Sequence, residues 1–166
     1  MYRIATLILL AASSASLTAA RADQPQVSTQ VGTTPPPPAA VQSRVLGAGD
    51  PRLQWTPCPP LFAPGCQIAV LHGDPSKPNA DVFFRIPGGY LIPPHSHTSA
   101  EHLVLVSGEL DVHYKGQPKA TMRTGDYAYG PPGLPHLGHC RSKEPCTLFI
   151  AFELPVDALA YDGDIP

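Results

Sequence analysis

Between Gly89 and Gly108 the chain reads GYLIPPHSHTSAEHLVLVSG, and this stretch limits the possible folds more than any other. Side chains two apart on an extended strand face the same way, so His95 and His97 project together while Ser96 points outward. Glu101 is then offered back by the strand that follows the turn. Two imidazoles and a carboxylate on one strand-turn-strand unit can converge on a single metal ion. Further on, Gly125 to Cys140 reads GDYAYGPPGLPHLGHC. His136 follows its Pro-Gly-rich turn, where a fourth ligand delivered by a distant strand would lie.

The surrounding sequence predicts β-structure with very little helix. Ile68 to His72, Val82 to Ile86, His102 to Val106, Leu110 to Tyr114, Tyr127 to Tyr129 and Thr147 to Glu153 are short runs rich in β-branched and aromatic residues. Gly-Asp-Pro, Pro-Gly-Gly, Ser-Gly-Glu, Lys-Gly-Gln, Thr-Gly-Asp and Pro-Pro-Gly-Leu-Pro separate them as turns. Short strands at regular spacing make a sandwich or a barrel. With Glu101 inward, Leu103 and Leu105 also face the interior, and His102, Val104 and Val106 face out. By the same alternation Leu110, Val112 and Tyr114 point in, Asp111 and His113 point out, and Leu148, Ile150 and Phe152 share a face. For Val82 to Ile86 the inward set is either Val82, Phe84 and Ile86 or Phe83 and Arg85. An inward Arg85 would grip an anionic substrate, whereas an outward one is a surface residue. His72 and His139 read as strand-end or turn residues, with a group that faces the substrate or supports a metal ligand as the alternative for His139. Tyr90, Tyr127 and Tyr129 flank the histidine segments, as packing residues or as phenol donors to a ligand.

These two segments resemble the two motifs of the cupin superfamily. The first, G-x5-H-x-H-x3,4-E-x6-G, is matched at Gly89, His95, His97, Glu101 and Gly108. The second, G-x5-P-x-G-x2-H-x3-N, is matched at Gly125, Pro131, Gly133 and His136, with Cys140 in place of the asparagine. That asparagine is not a metal ligand in the family. The resemblance extends over roughly Gln67 to Glu153. It implies an all-β fold, a double-stranded β-helix jelly-roll barrel. It further implies one divalent transition metal (Fe, Mn, Ni or Zn) held inside by His95, His97, Glu101 and His136, and a homodimer. Similarity to flavonol-cleaving cupins suggests Glu101 as a catalytic base.

The remaining organisation follows from composition. Met1 to Ala22 has one Arg3, an apolar run from Ile4 to Leu10, and Ala20-Arg21-Ala22 as an A-x-A cleavage site, the pattern of a secretory signal peptide. An uncleaved anchor is the alternative, but the apolar part is short for a bilayer. Residues 23–45 contain Pro35 to Pro38 among small and polar residues and read as a disordered or polyproline spacer, or a docking site for a proline-reading partner. The domain is expected over 46–156, with 157–166 as a C-terminal tail. Export places the protein in the periplasm or outside the cell. Losing Arg3 and Arg21 with the leader leaves nine basic side chains against 13 acidic, a net charge of −4. That balance argues against nucleic acid or an anionic membrane as a partner. An oxidising compartment favours disulfides, and Cys58–Cys66 with Cys140–Cys146 is the pairing in which each bond brackets a turn. The alternative leaves Cys140 as a free thiol near the metal.

Two function classes are consistent with these residues. The first is a metal-dependent oxidoreductase of the dioxygenase kind acting on a small oxygenated or aromatic substrate, with lyase or isomerase variants. The second is a non-catalytic module that binds a metal or small ligand.

Overall fold

The computed structural model describes residues 43–166. The signal peptide expected over 1–22 lies outside the described residues, as does the arm up to residue 42. Eleven strands follow: β1 (Thr56–Pro57), β2 (Gln67–His72), β3 (Ala80–Ile86), β4 (Leu91–Ser96), β5 (Glu101–Ser107), β6 (Glu109–Tyr114), β7 (Ala120–Arg123), β8 (Tyr127–Gly130), β9 (His136–Cys140), β10 (Cys146–Phe152) and β11 (Leu159–Ala160). They pair antiparallel into two sheets, β1-β2-β3-β10-β5-β8 and β11-β4-β9-β6-β7. No helix occurs among the described residues. The result is the expected all-β jelly roll, with every one of the six strand runs present.

Alternation decides what lies between the sheets. On β10, Leu148 lies opposite Phe84 on β3 and Leu105 on β5, and Ile150 lies opposite Val82 and Leu103. These side chains are buried together with Leu110, Val112 and Tyr114 of β6 from the other sheet. Val82, Phe84 and Ile86 are therefore the inward set of β3. Each such aliphatic or aromatic side chain contributes roughly 1.5–3 kcal/mol on leaving water. Phe83 joins Leu53 and Ala69 in a smaller cluster on the opposite face of β3, against Trp55 at 6.5 Å between ring centroids. Arg85 lies on that outer face too, its guanidinium 3.8 Å from the Trp55 ring centroid and bonded to Gln67 Oε1 at 2.8 Å. Asp111 also faces outward as expected, yet it is buried, roofed by Thr121, Lys119 and Arg141.

One feature departs from the sequence expectations. Residues 157–166 are not simply a tail, because β11 pairs with β4, setting Leu159 opposite Ser96 and Ala160 opposite His95. Both disulfides form as read, Cys58–Cys66 and Cys140–Cys146, which removes the free-thiol alternative for Cys140. Gly108 is the tight link between β5 and β6, at φ +93°, and a Cβ there would lie 2.8 Å from Cys146 Sγ. Steric exclusion and backbone conformation both require glycine at that position.

Candidate metal centre

His95 is the penultimate residue of β4, and His97 stands one residue beyond its end. Pro93 and Pro94 have no N–H to give to a ladder, and the β4–β9 register slips between Ile92 and His95. The freed Pro93 carbonyl accepts a hydrogen bond from His95 Nδ1 at 2.8 Å. The same local device recurs on β9. Pro135 precedes His136, and the carbonyl two residues back, Leu134 O, accepts from His136 Nδ1 at 3.2 Å. His97 has no such neighbour, and its Nδ1 donates to the backbone carbonyl of Asp157, just before β11. The Asp157 carboxylate in turn fixes the same turn by accepting from Thr98 N at 2.9 Å and Thr98 Oγ1 at 2.6 Å.

A carbonyl can only accept, so all three Nδ1 atoms carry the proton and all three Nε2 atoms keep a free lone pair. One ligating nitrogen from each of His95, His97 and His136 lies within 4.8 Å of the others. Their rings crowd one another, with centroids 4.2 Å apart for His95–His136 and 4.9 Å for His95–His97. Glu101, at the start of β5, reaches His136 Nε2 at 3.2 Å and His97 Nε2 at 3.4 Å. It is 2 % exposed, and its Oε1 is buried without a hydrogen-bond partner. The three histidines singled out in the sequence thus converge, and Glu101 lies against two of them, His97 and His136. Gly130 of β8, directly opposite Glu101, makes room for the carboxylate, since a Cβ there would lie 2.6 Å from Glu101 Oε1.

Burial sets the protonation states. It pushes His95 down to about 4, reinforced by the neighbouring His97, and His136 down to about 3, reinforced by His95. His97 is lowered by burial as well, with the Asp157 carbonyl opposing. Glu101 is pushed up to about 8 by the same loss of water. At neutral pH the histidines are therefore already in the ligating form, and the carboxyl contacts to them join neutral groups. An orphaned carboxyl oxygen beside three oriented lone pairs is a donor set that a cation satisfies.

Several residues near this point carried no clear sequence signal. Tyr114 faced inward by alternation, and its ring lies 5.1 Å from that of His136 with its hydroxyl buried and unpartnered. Burial and then the Glu101 charge raise its pKa. Phe62, from the loop closed by Cys58–Cys66, packs edge-on against His95 at 5.4 Å. Of the flanking tyrosines, Tyr90 spends its hydroxyl on Ala63 O at 2.7 Å. Tyr127 and Tyr129 are exposed on the outer face beside His102, whose ring also meets Glu153 at 3.0 Å. His72, His113 and His139 take no part in the cluster.

Comparison with known proteins agrees with this fold. The family described as "Cupin domain" matches residues 82–152. No curated protein matches the chain. Among solved structures, the DMSP lyase DddQ from Ruegeria pomeroyi superposes with a TM-score of 0.57 at 21% identity, covering 68% of this chain and 64% of that one. An RmlC-like cupin from Shewanella frigidimarina gives 0.54 at 20% identity, covering 69% and 94%. An oxalate oxidase gives 0.51 at 19% identity, covering 64% of each chain. This chain spans 64% of the length of the DMSP lyase and oxalate oxidase chains. At such identities the likeness establishes the fold.

Proposed function

We propose that the chain is a small single-domain cupin that holds one divalent transition metal through His95, His97, Glu101 and His136. The observation that carries this reading is the tautomer lock: three backbone carbonyls aim three Nε2 lone pairs at one buried point beside an unpartnered carboxyl oxygen. Mixed nitrogen and oxygen donors suit Fe, Mn, Ni or Zn. Bound there, the metal would act as a Lewis acid and template for an oxygen donor of the substrate.

We assign the protein to metal-dependent oxidoreductases of the dioxygenase kind, acting on a small oxygenated or aromatic molecule. The chain's own residues support particular parts of such chemistry. The surrounding cavity, about 60 Å³, is walled largely by the apolar side chains of Ile92, Leu103, Leu110, Val112 and Leu148. Glu101 is the one carboxyl in it; held ionised by a bound metal, it could loosen from the ion and accept a proton from a substrate carbon or hydroxyl. The carbonyl bonds hold the imidazoles still meanwhile.

A second reading, a non-catalytic module that binds metal or a small ligand, has one observation in its favour. Every ionisable side chain lining that cavity belongs to the proposed ligand set, leaving no separate acid or base. Oxygen uptake by the metal-loaded protein, with catechols, flavonols and diketones, separates the two. Substrate-dependent uptake that falls in Glu101→Gln supports the oxidoreductase, and tightly held zinc with no turnover supports the binding module. We further place the mature chain, as a homodimer, in the periplasm or outside the cell, on the strength of the leader sequence and of the cupin resemblance.

A further inference from the structure

A second chamber adjoins the one that contains the histidines. The inner cavity measures about 60 Å³ and the outer about 420 Å³, and Phe62, Phe84, His97 and Ile150 line both. The inner space suffices for an ion and a small head group, since one water needs about 10–15 Å³ on this measure. The outer one has the size of a small-molecule site. Its walls include Ile68, Val70, Val82 and Phe152, and no lysine or arginine lines either chamber. Asp157, the outer chamber's one acidic side chain, already has both carboxylate oxygens bonded to Thr98. Arg85 lies on the opposite face of β3, over Trp55. A second negative charge on a ligand would therefore enter apolar surroundings with no counter-charge, which is costly.

We infer that the outer chamber is a second subsite, which takes the apolar body of a ligand whose small oxygen-chelating head, neutral or singly charged, binds at the inner site. Phe62 stands at the junction, edge-on to His95 at 5.4 Å and to Phe84 at 5.7 Å, and so sets the width of the passage between head and body. The disulfide-closed loop from Cys58 to Cys66 holds it there. This inference rests on the metal site proposed above and adds the class of molecule that reaches it.

The test uses the metal-loaded mature chain, with metal content measured first and then calorimetric titration with catechol, 4-tert-butylcatechol and oxalate. The expected result is one equivalent of metal and at least tenfold tighter binding of the alkylcatechol than of catechol, with oxalate the weakest. Ile68→Glu is expected to bring the ratio of the two catechol affinities toward one. Val70→Glu, at a half-exposed position that tolerates charge, repeats the test should Ile68→Glu fail to fold. Phe62→Ala is expected to admit 4-phenylcatechol at an affinity closer to that of the alkylcatechol. Equal affinities for the two catechols, or tightest binding of oxalate, would overturn the subsite while leaving the metal site standing. Failure to load metal would instead remove the reading on which it rests.

Discussion

Glu101 offers a prediction whose size can be worked from its burial. In the unfolded chain its carboxyl ionises near 4.5, and in the folded, metal-free site near 8. Between those values the native state binds a proton that the unfolded state has lost, so stability falls as pH rises, by up to about 1.4 kcal/mol per pH unit. The contribution is fully present below 4.5 and is lost as pH passes through 8. From pH 6.5 to 8.5 the loss integrates to about 2 kcal/mol, because the slope flattens once the folded group ionises. The buried histidines act with the opposite sign: their lowered values stabilise above 6.5 and cost stability as pH falls toward 4. Glu101→Gln retains those histidines and removes the titrating carboxyl, so subtracting its stability from that of the wild type isolates Glu101. Urea unfolding followed by circular dichroism, with a chelator present, should show Glu101→Gln gaining about 2 kcal/mol on the wild type between pH 6.5 and 8.5. Parallel pH profiles for the two proteins would refute the assignment of a protonated, desolvated carboxyl to this position.

Three further perturbations probe the same site. His97→Ala should strip most of the bound metal, read by elemental analysis, while the β-rich circular dichroism spectrum stays largely unchanged. Gly130→Ala drives a methyl against Glu101 Oε1 and should weaken metal affinity at least about tenfold; shortening the acid in Gly130→Ala/Glu101→Asp should recover part of the loss, as measured by competition with a chelator. Ending the chain after Val156 removes the carbonyl that orients His97 and the β11 pairing, and should cost about 10–100-fold in metal affinity with the main sheets intact.

How much of this was legible in the sequence depends on where each signal lives. The proposed ligand set was readable from the spacing of His95, His97 and Glu101 and from the likeness of both segments to cupin motifs, although His97 lies just beyond the end of β4, and alternation sorted β5, β6 and β10 correctly. β4 was partly concealed by Pro93-Pro94, a pair that normally argues against a strand and here creates the bulge that frees a carbonyl. β7, Ala-Thr-Met-Arg, has only Met122 buried, too little alternation to be read as a strand. The orientation of β3 stayed open because both of its faces are covered, one by the main core and the other by the segment bearing Leu53 and Trp55. The partners of the ring nitrogens were invisible for a simpler reason: Pro93 O, Leu134 O and Asp157 O are backbone atoms, which every residue carries. Phe62 likewise gains its role only when the Cys58–Cys66 loop folds over His95.

The most direct test of the central claim is elemental analysis of the mature protein, exported natively and purified without a polyhistidine tag or added metal. About one equivalent of a first-row divalent metal, absent from His97→Ala prepared in parallel, is the predicted result. A metal-free protein that also takes up no Fe, Mn, Ni or Zn on titration would contradict it.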